Sequence, residues 1–397
     1  MSWKIALSVP QLGPEETAAV QRVLASTWLT MGEETQAFEN EFARFLGVRH
    51  AIACASGTAA LHLAMMALGI GPGTRVIQPA VNFVAAANMT MACGATPVFA
   101  DILALDEPTL SPRELEVCLA AHAEGGTRAA AVPAALILMH YGGYPCRMDE
   151  ILDLCGARGV PVIEDACHSP GGRFEEADSR ARSLGTLGDI GCFSFFSNKN
   201  LATGEGGMVV TDRDDLAAIM RSLRSHGMTT LTWDRDRGHA ATYDVTAHGF
   251  NYRIDELRSA IGREQLRKLS AGNHRRRELT RAYWEALAPL EQRGWGLPFR
   301  SCFADGALEQ SACHLVTLVA PDPVSRWQAA DRLREAGIQS SLHYPLVPGL
   351  GAFASHASRH PLPVATAYAA RTLTLPLYPA LSTEQVAEVS RILIGFG

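Results

Sequence analysis

The chain is poor in several features that would assign it quickly. No pair of its nine cysteines has the Cys-x-x-Cys spacing, and the odd number argues against a closed set of disulfides, so they read as buried, reduced thiols. No apolar run approaches the roughly 18 residues of a membrane span, and Met1-Ser2-Trp3-Lys4-Ile5-Ala6-Leu7 lacks the long apolar stretch of an export signal. The expectation is a soluble, cytoplasmic protein without a membrane partner. Lys and Arg total 35 against 41 Asp and Glu, with no basic block, which argues against nucleic acid as the main partner. There is no repeat, no low-complexity tract, no Gly-x-Ser-x-Gly elbow and no Walker loop, so hydrolase and NTPase readings fall away. His356 and His360 have the spacing of a helical metal pair but no accompanying Glu or third ligand, and no metal site is expected.

What remains is a chain of 397 residues, 47% apolar and 19% charged, long enough for two cores. In its first half, helical and strand periodicities alternate, the pattern of a mainly parallel sheet covered by helices. Helices are expected over 15–26, 33–46, 59–68, 148–158 and 214–225. Strands are expected over 51–55, 75–78, 96–100, 134–139, 160–163, 191–195 and 208–211. Gly69-Ile70-Gly71-Pro72-Gly73 follows a helix and not a strand, so it reads as a turn and not as a dinucleotide loop. Residues 229–245 have no clear period, and the charged, His-containing stretch Asp234 to Tyr243 reads as a loop that either orders over a substrate or stays solvated. Beyond it come amphipathic helices over 255–269 and 274–292, a strand over 314–319, and helices over 325–336 and 383–394. The expected division is a large domain over 1–245 and a smaller α+β domain over 246–397.

Ligands of parallel sheets bind at the carboxyl ends of the strands, and three features fall there. Ser56-Gly57-Thr58 joins a strand to a helix, so amides, hydroxyls and the helix dipole converge as they would on a phosphate; plain N-capping is the competing reading. Glu164-Asp165 closes an apolar strand, where a buried carboxylate needs a partner, either a ligand or a structural ion pair. Lys199 lies in Phe193-Ser194-Phe195-Phe196-Ser197-Asn198-Lys199-Asn200, between two apolar runs. An anion cradle, a buried acid and an amine nucleophile together match the needs of pyridoxal 5'-phosphate (PLP), whose aldehyde, ring nitrogen and phosphate require those three groups.

With Ser56-Gly57-Thr58-Ala59-Ala60-Leu61-His62-Leu63, Val162-Ile163-Glu164-Asp165-Ala166-Cys167-His168, the Lys199 segment with Gly204-Glu205-Gly206-Gly207, and Gly249-Phe250-Asn251-Tyr252-Arg253, the chain resembles the DegT/DnrJ/EryC1/StrS sugar aminotransferase family over nearly its whole length. The resemblance implies an α/β, three-layer fold type I PLP-dependent transferase with a mainly parallel central sheet and a smaller C-terminal α+β domain. It implies that Lys199 holds the cofactor as a Schiff base and shuttles a proton. Asp165 would pair with the ring nitrogen, and His168, where relatives often have Gln, would touch the phenolic oxygen. Gly57, Thr58 and Ser194 would bind phosphate, completed by Asn251 of a second subunit in a homodimer. Phe83 would stack on the ring, with an ordinary core Phe as the alternative. His343-Tyr344-Pro345 resembles a substrate-side segment, but it continues as Leu346-Val347-Pro348, where relatives usually reach a second His after a further Pro-Leu. The implied reaction moves an amino group from glutamate or glutamine to a keto sugar, most often nucleotide-linked, or to a cyclitol ketone, in amino-sugar or antibiotic biosynthesis. Two alternatives stand beside it. One is a PLP-dependent dehydratase, although the dehydratase-like variants carry His where Lys199 stands here. The other is a PLP-binding regulatory protein, although no DNA-binding helix-turn-helix is visible.

Overall fold

The structure, a computed structural model, describes residues 3–121, 134–176, 179–230, 242–303, 306–356 and 360–395. Its centre is a seven-stranded sheet of β1 (His50–Cys54), β2 (Arg75–Pro79), β3 (Thr96–Ala100), β4 (Ala135–Met139), β5 (Val162–Asp165), β8 (Ile190–Ser194) and β9 (Gly207–Thr211), in the order β1-β9-β8-β5-β4-β2-β3. Only β9 runs against its neighbours, pairing antiparallel with β1 and β8. A short hairpin, β6 (Arg173–Glu175) and β7 (Ala181–Ser183), projects between β5 and β8.

Both faces of the sheet are covered, which is why β4 reads Ala-Leu-Ile-Leu-Met without a polar residue. Successive side chains still go to opposite faces. Ile52, Val76, Ile137, Ile163, Cys192 and Val209 pack with α3 (Gly57–Ala67) and α7 (Asp214–Arg224). On the other face, Ala53, Met208 and Phe193 meet α2 (Glu33–Leu46), and Ile77, Leu136 and Leu138 meet α5 (Pro112–Ala121) and α6 (Met148–Gly156). This is the expected three-layer α/β arrangement.

The helix α8 (Glu256–Leu287) starts at the Asp255 cap, whose carboxylate accepts from the Arg258 amide at 2.8 Å. Its first half lies on α1 (Pro14–Ser26) and α2. Arg263 pairs with Glu34 and Glu41, and Lys268 pairs with Glu15 and Glu16. Its second half, with Leu279, Tyr283, Trp284 and Leu287, enters the C-terminal core. There it meets the antiparallel pair β10 (Val316–Val319) and β11 (Thr372–Leu375) and the helices α9 (Pro323–Glu335), α10 (Pro363–Arg371) and α11 (Thr383–Ile394). Residues at the N-terminus join this part, since the Lys4 and Gln339 amides bond to Gly337 and Ile5 at 2.8 and 2.9 Å.

The structure corrects several sequence expectations. The two helices expected over 255–269 and 274–292 are one. Gly272 lowers helix propensity locally, but Asn273 is buried and its side-chain Nδ2 donates to the Pro170 carbonyl at 2.8 Å, so a tertiary contact overrides the break. The strand expected over 160–163 is shifted to Val162–Asp165, which puts both carboxylates inside the sheet. The helices α4 (Ala85–Ala92), α5 and α10 and the strand β11 had no sequence expectation. Of the loop read over 229–245, residues 231–241 lie outside the described residues; its ends close on each other, with the Thr229 amide donating to Asp244 at 2.9 Å. All nine cysteines are free; Cys93 and Cys167 are half-buried and Cys302 is exposed, so only part of the buried-thiol reading holds. Among the described residues no helix is long and apolar enough to cross a membrane.

Candidate active site

The carboxyl ends of β1, β5 and β8 open on a cavity of about 340 Å³. It is lined by Gly57, Thr58, Phe83, Asp165, His168 and Ser194, together with Lys199, His343 and Tyr344. Of the residues to which the resemblance gave a cofactor or substrate role, Asn251 lies outside it. Asn251 is exposed and bridged to Ser225, on a segment held by stacking of Phe250 on Tyr252 (4.9 Å) and by the bond of Tyr252 to His62 (2.9 Å).

Two glycines let the anion end of the cavity form. Ser56 does cap α3, since its hydroxyl accepts from the Ala59 amide at 3.1 Å. The N–H groups of the first helical turn at Gly57 and Thr58 remain directed outward along the helix axis. A Cβ on Gly57 would lie 2.8 Å from Ser194 Cβ and 3.2 Å from its Oγ, so only glycine lets Ser194 close on this helix end. A Cβ on Gly207 would lie 2.3 Å from the Ser56 carbonyl oxygen. Gly207 is therefore a packing requirement of the cradle.

The two carboxylates of β5 divide their tasks. Glu164, with no exposed surface, accepts from His140 Nε2 at 2.8 Å and from the Gly185, Leu187 and Gly188 amides at 2.6–2.7 Å. It is a structural anchor for the turn before β8. Asp165 points to the cavity, with one oxygen accepting from the Cys167 amide at 3.2 Å. Burial raises its protonation point, which its contacts with Cys167 and the charge of Lys199 oppose. Lys199 is half-buried at the cavity wall, its backbone N–H tied to the Phe196 carbonyl at 2.8 Å. Burial lowers its pKa, against the pull of Cys167 and Asp165, so the site favours a neutral, nucleophilic amine more than water would.

The aromatic side has its own order. Phe83 is 53% exposed, so it is a cavity residue and not a core Phe, and its ring stands 5.8 Å from that of Tyr344. His168 Nδ1 accepts from the Gly142 amide at 3.2 Å, and burial together with the charge of Lys199 keeps the ring neutral. Its proton therefore sits on Nε2, which faces the Tyr344 hydroxyl at 2.8 Å. His343 bonds through Nδ1 to Thr374 at 2.9 Å. Sequence reasoning passed over Cys167, Asn198 and Glu205, which also line the cavity. Cys167 and Asn198 adjoin His168 and Lys199 in the chain, and all three stand inside the stretches that carry the family resemblance, although no role was read for them.

The arrangement is an anion cradle, a buried acid and a low-pKa amine in one cavity, with a flat aromatic at its mouth. The residues fit PLP by their donor chemistry and by the cradle that a Cβ at Gly57 would fill. The model of the DegT/DnrJ/EryC1/StrS aminotransferase family matches residues 10–393. The spore coat polysaccharide biosynthesis protein SpsC of Bacillus subtilis (strain 168) is 37% identical over 391 residues, covering 96% of this chain and 94% of that protein. Among solved structures, the aminotransferase TlmJ from Streptoalloteichus hindustanus superposes with a TM-score of 0.85 at 32% identity, over 99% of this chain and 98% of that one. DesV of S. venezuelae, solved in complex with a ketimine intermediate, gives 0.82 at 33% identity, over 96% of this chain and 93% of its own. The chain belongs to the DegT/DnrJ/EryC1/StrS aminotransferase family and is a PLP-dependent aminotransferase.

Proposed function

We propose that the cavity binds PLP and that the protein moves an amino group from glutamate or glutamine to a keto sugar, in the first place a nucleotide-linked one, or to a cyclitol ketone. The observation that carries the reading is the joint presence of Lys199, Asp165 and the Gly57–Ser194 cradle in one cavity. When bound, the cofactor supplies an electron sink for the carbon that loses a proton. Lys199 Nζ is the group that holds the cofactor and carries that proton, which a lowered pKa allows at neutral pH. Asp165 holds the ring nitrogen protonated, while the amides of Gly57 and Thr58 and the Ser194 hydroxyl take the phosphate. Phe83 covers one face of the ring. His168 acts on the cavity through Tyr344, whose hydroxyl accepts from Nε2–H and is left to donate to a ligand oxygen.

The proposal extends to a homodimer in which Asn251 completes the partner's phosphate site. Exposed Asn251, and Phe196 and Val245 at 45% and 51% exposure, support a covered surface. The polysaccharide pathway named for the Bacillus relative supports a sugar acceptor. Incubation with glutamate labelled at its amino nitrogen and a panel of keto sugars tests the reaction. Label in an amino-sugar product is the expected result; release of label as ammonium with a deoxygenated or dehydrated sugar would favour the dehydratase reading.

A further inference from the structure

Tyr141 follows β4, is buried and does not line the cavity. Its ring nevertheless stands edge-on to those of Tyr344 (6.4 Å, 89°) and Tyr368 (5.9 Å, 88°), and 6.3 Å from that of His168. Its hydroxyl donates to the carbonyl of His343, the residue before Tyr344. A carbonyl can only accept, so this bond takes the one hydrogen that Tyr141 has. The Tyr141 oxygen must then accept from the Tyr368 hydroxyl at 3.0 Å, which leaves Tyr368 no hydrogen for Thr317 Oγ1 at 3.3 Å; Thr317 therefore donates to it. The result is a one-way chain from Thr317 through Tyr368 and Tyr141 to the His343 carbonyl. It ties β10 and α10 of the C-terminal part to the end of β4, and it stops beside Tyr344. Burial raises the pKa of both Tyr141 and Tyr368, so the chain keeps its donors.

The next residue starts a second chain. Gly142, at φ 66°, turns its amide toward the His168 ring, donating to Nδ1 at 3.2 Å, and His168 Nε2–H donates to the Tyr344 hydroxyl at 2.8 Å. Both chains converge on residues 343–344, one through the backbone and one through the side chain. The Tyr344 O–H is the one hydrogen of either chain that has no acceptor within it, and Tyr344 lines the cavity. We infer that Tyr141 is a positioning residue for Tyr344: by fixing the His343 carbonyl it holds the Tyr344 oxygen on His168 Nε2–H and so leaves the Tyr344 hydrogen for a ligand oxygen. The inference rests on the reading above in which Tyr344 donates into the cavity.

The test follows solvent exchange of the His168 Nε2 proton by NMR in the full chain without cofactor. Tyr344→Phe removes the acceptor and should speed exchange about tenfold. Tyr141→Phe keeps the packed ring and removes only the hydroxyl, and should speed exchange about three- to tenfold. The double variant should exchange no faster than Tyr344→Phe alone, because Tyr141 acts through Tyr344. Tyr283→Phe takes a hydroxyl without a partner among the described residues from the same core, and should leave the rate unchanged. An unchanged rate in Tyr141→Phe, or effects that add in the double variant, would overturn the inference. Should Tyr141→Phe not fold, Tyr368→Phe removes the donor to the Tyr141 oxygen and should speed exchange about two- to threefold; an unchanged rate there overturns the inference equally. PLP titration and turnover of the keto-sugar panel test the underlying reading separately. Weaker PLP binding in Tyr344→Phe places the accepting oxygen on the cofactor, and unchanged PLP binding with a raised KM for a keto sugar places it on the acceptor. Neither change would defeat the donor reading of Tyr344, while His168 exchange still decides the role of Tyr141.

Discussion

At Lys199 and Asp165, burial pulls two opposite charges toward neutrality, and each charge is part of what keeps the other ionised. The same desolvation acts on the three histidines around them, His168, His314 and His343. For His343 the pKa falls from the ordinary 6.5 to about 4, chiefly through burial and next through the charge of Lys199. A base whose folded pKa is depressed takes up its proton in the unfolded chain first, so stability is lost as the pH falls from about 6.5 toward about 4. Replacing His343 with Gln should remove that part of the slope. Between pH 7 and pH 4, urea unfolding of the cofactor-free protein should show the wild type losing up to about 3 kcal/mol more than His343→Gln. Parallel stability curves would mean that His343 titrates freely.

Among the elements, the strand ends β1, β5 and β8 and the first turn of α3 build the site, and they are close because residues without side chains separate them. Gly207→Ala should push the Ser56 carbonyl away from β9, destabilise the fold by about 1–3 kcal/mol, and weaken PLP binding more than it weakens binding of the amino donor. Calorimetry with a matched PLP titration reads both effects, and a variant with unchanged PLP affinity would show that the cradle does not depend on this contact. Much of this framework is legible in sequence. The buried strands are short apolar runs bounded by turns, and Lys199, Asp165 and Ser56-Gly57-Thr58 stand where such runs end. The division of labour between Glu164 and Asp165 is not legible, because it depends on His140 and on the amides of Gly185 to Gly188, brought together only by the folded sheet. The continuity of α8 through Gly272 is hidden for the same reason. It hangs on Asn273, whose partners Pro170 and Asn200 lie far away in the chain.

For the whole molecule, α8 is the spine that ties the sheet to the C-terminal part, and the cavity lies where residues of both, Lys199 and Tyr344, meet. If Asn251 finishes the partner's site, subunits carrying Lys199→Ala and subunits carrying Asn251→Ala should each be inactive or nearly so alone. Mixed dimers should regain activity, because one of their two sites then has both residues intact; no recovery on mixing would place Asn251 outside the partner's site. The most direct test of the central claim is an absorbance titration of the purified protein with PLP. The wild type should develop the long-wavelength band of a lysine-bound cofactor, which bleaches when glutamate is added, and Lys199→Ala should develop neither the band nor the bleaching. A wild type that stays colourless, or a Lys199→Ala variant with the same band, would contradict it.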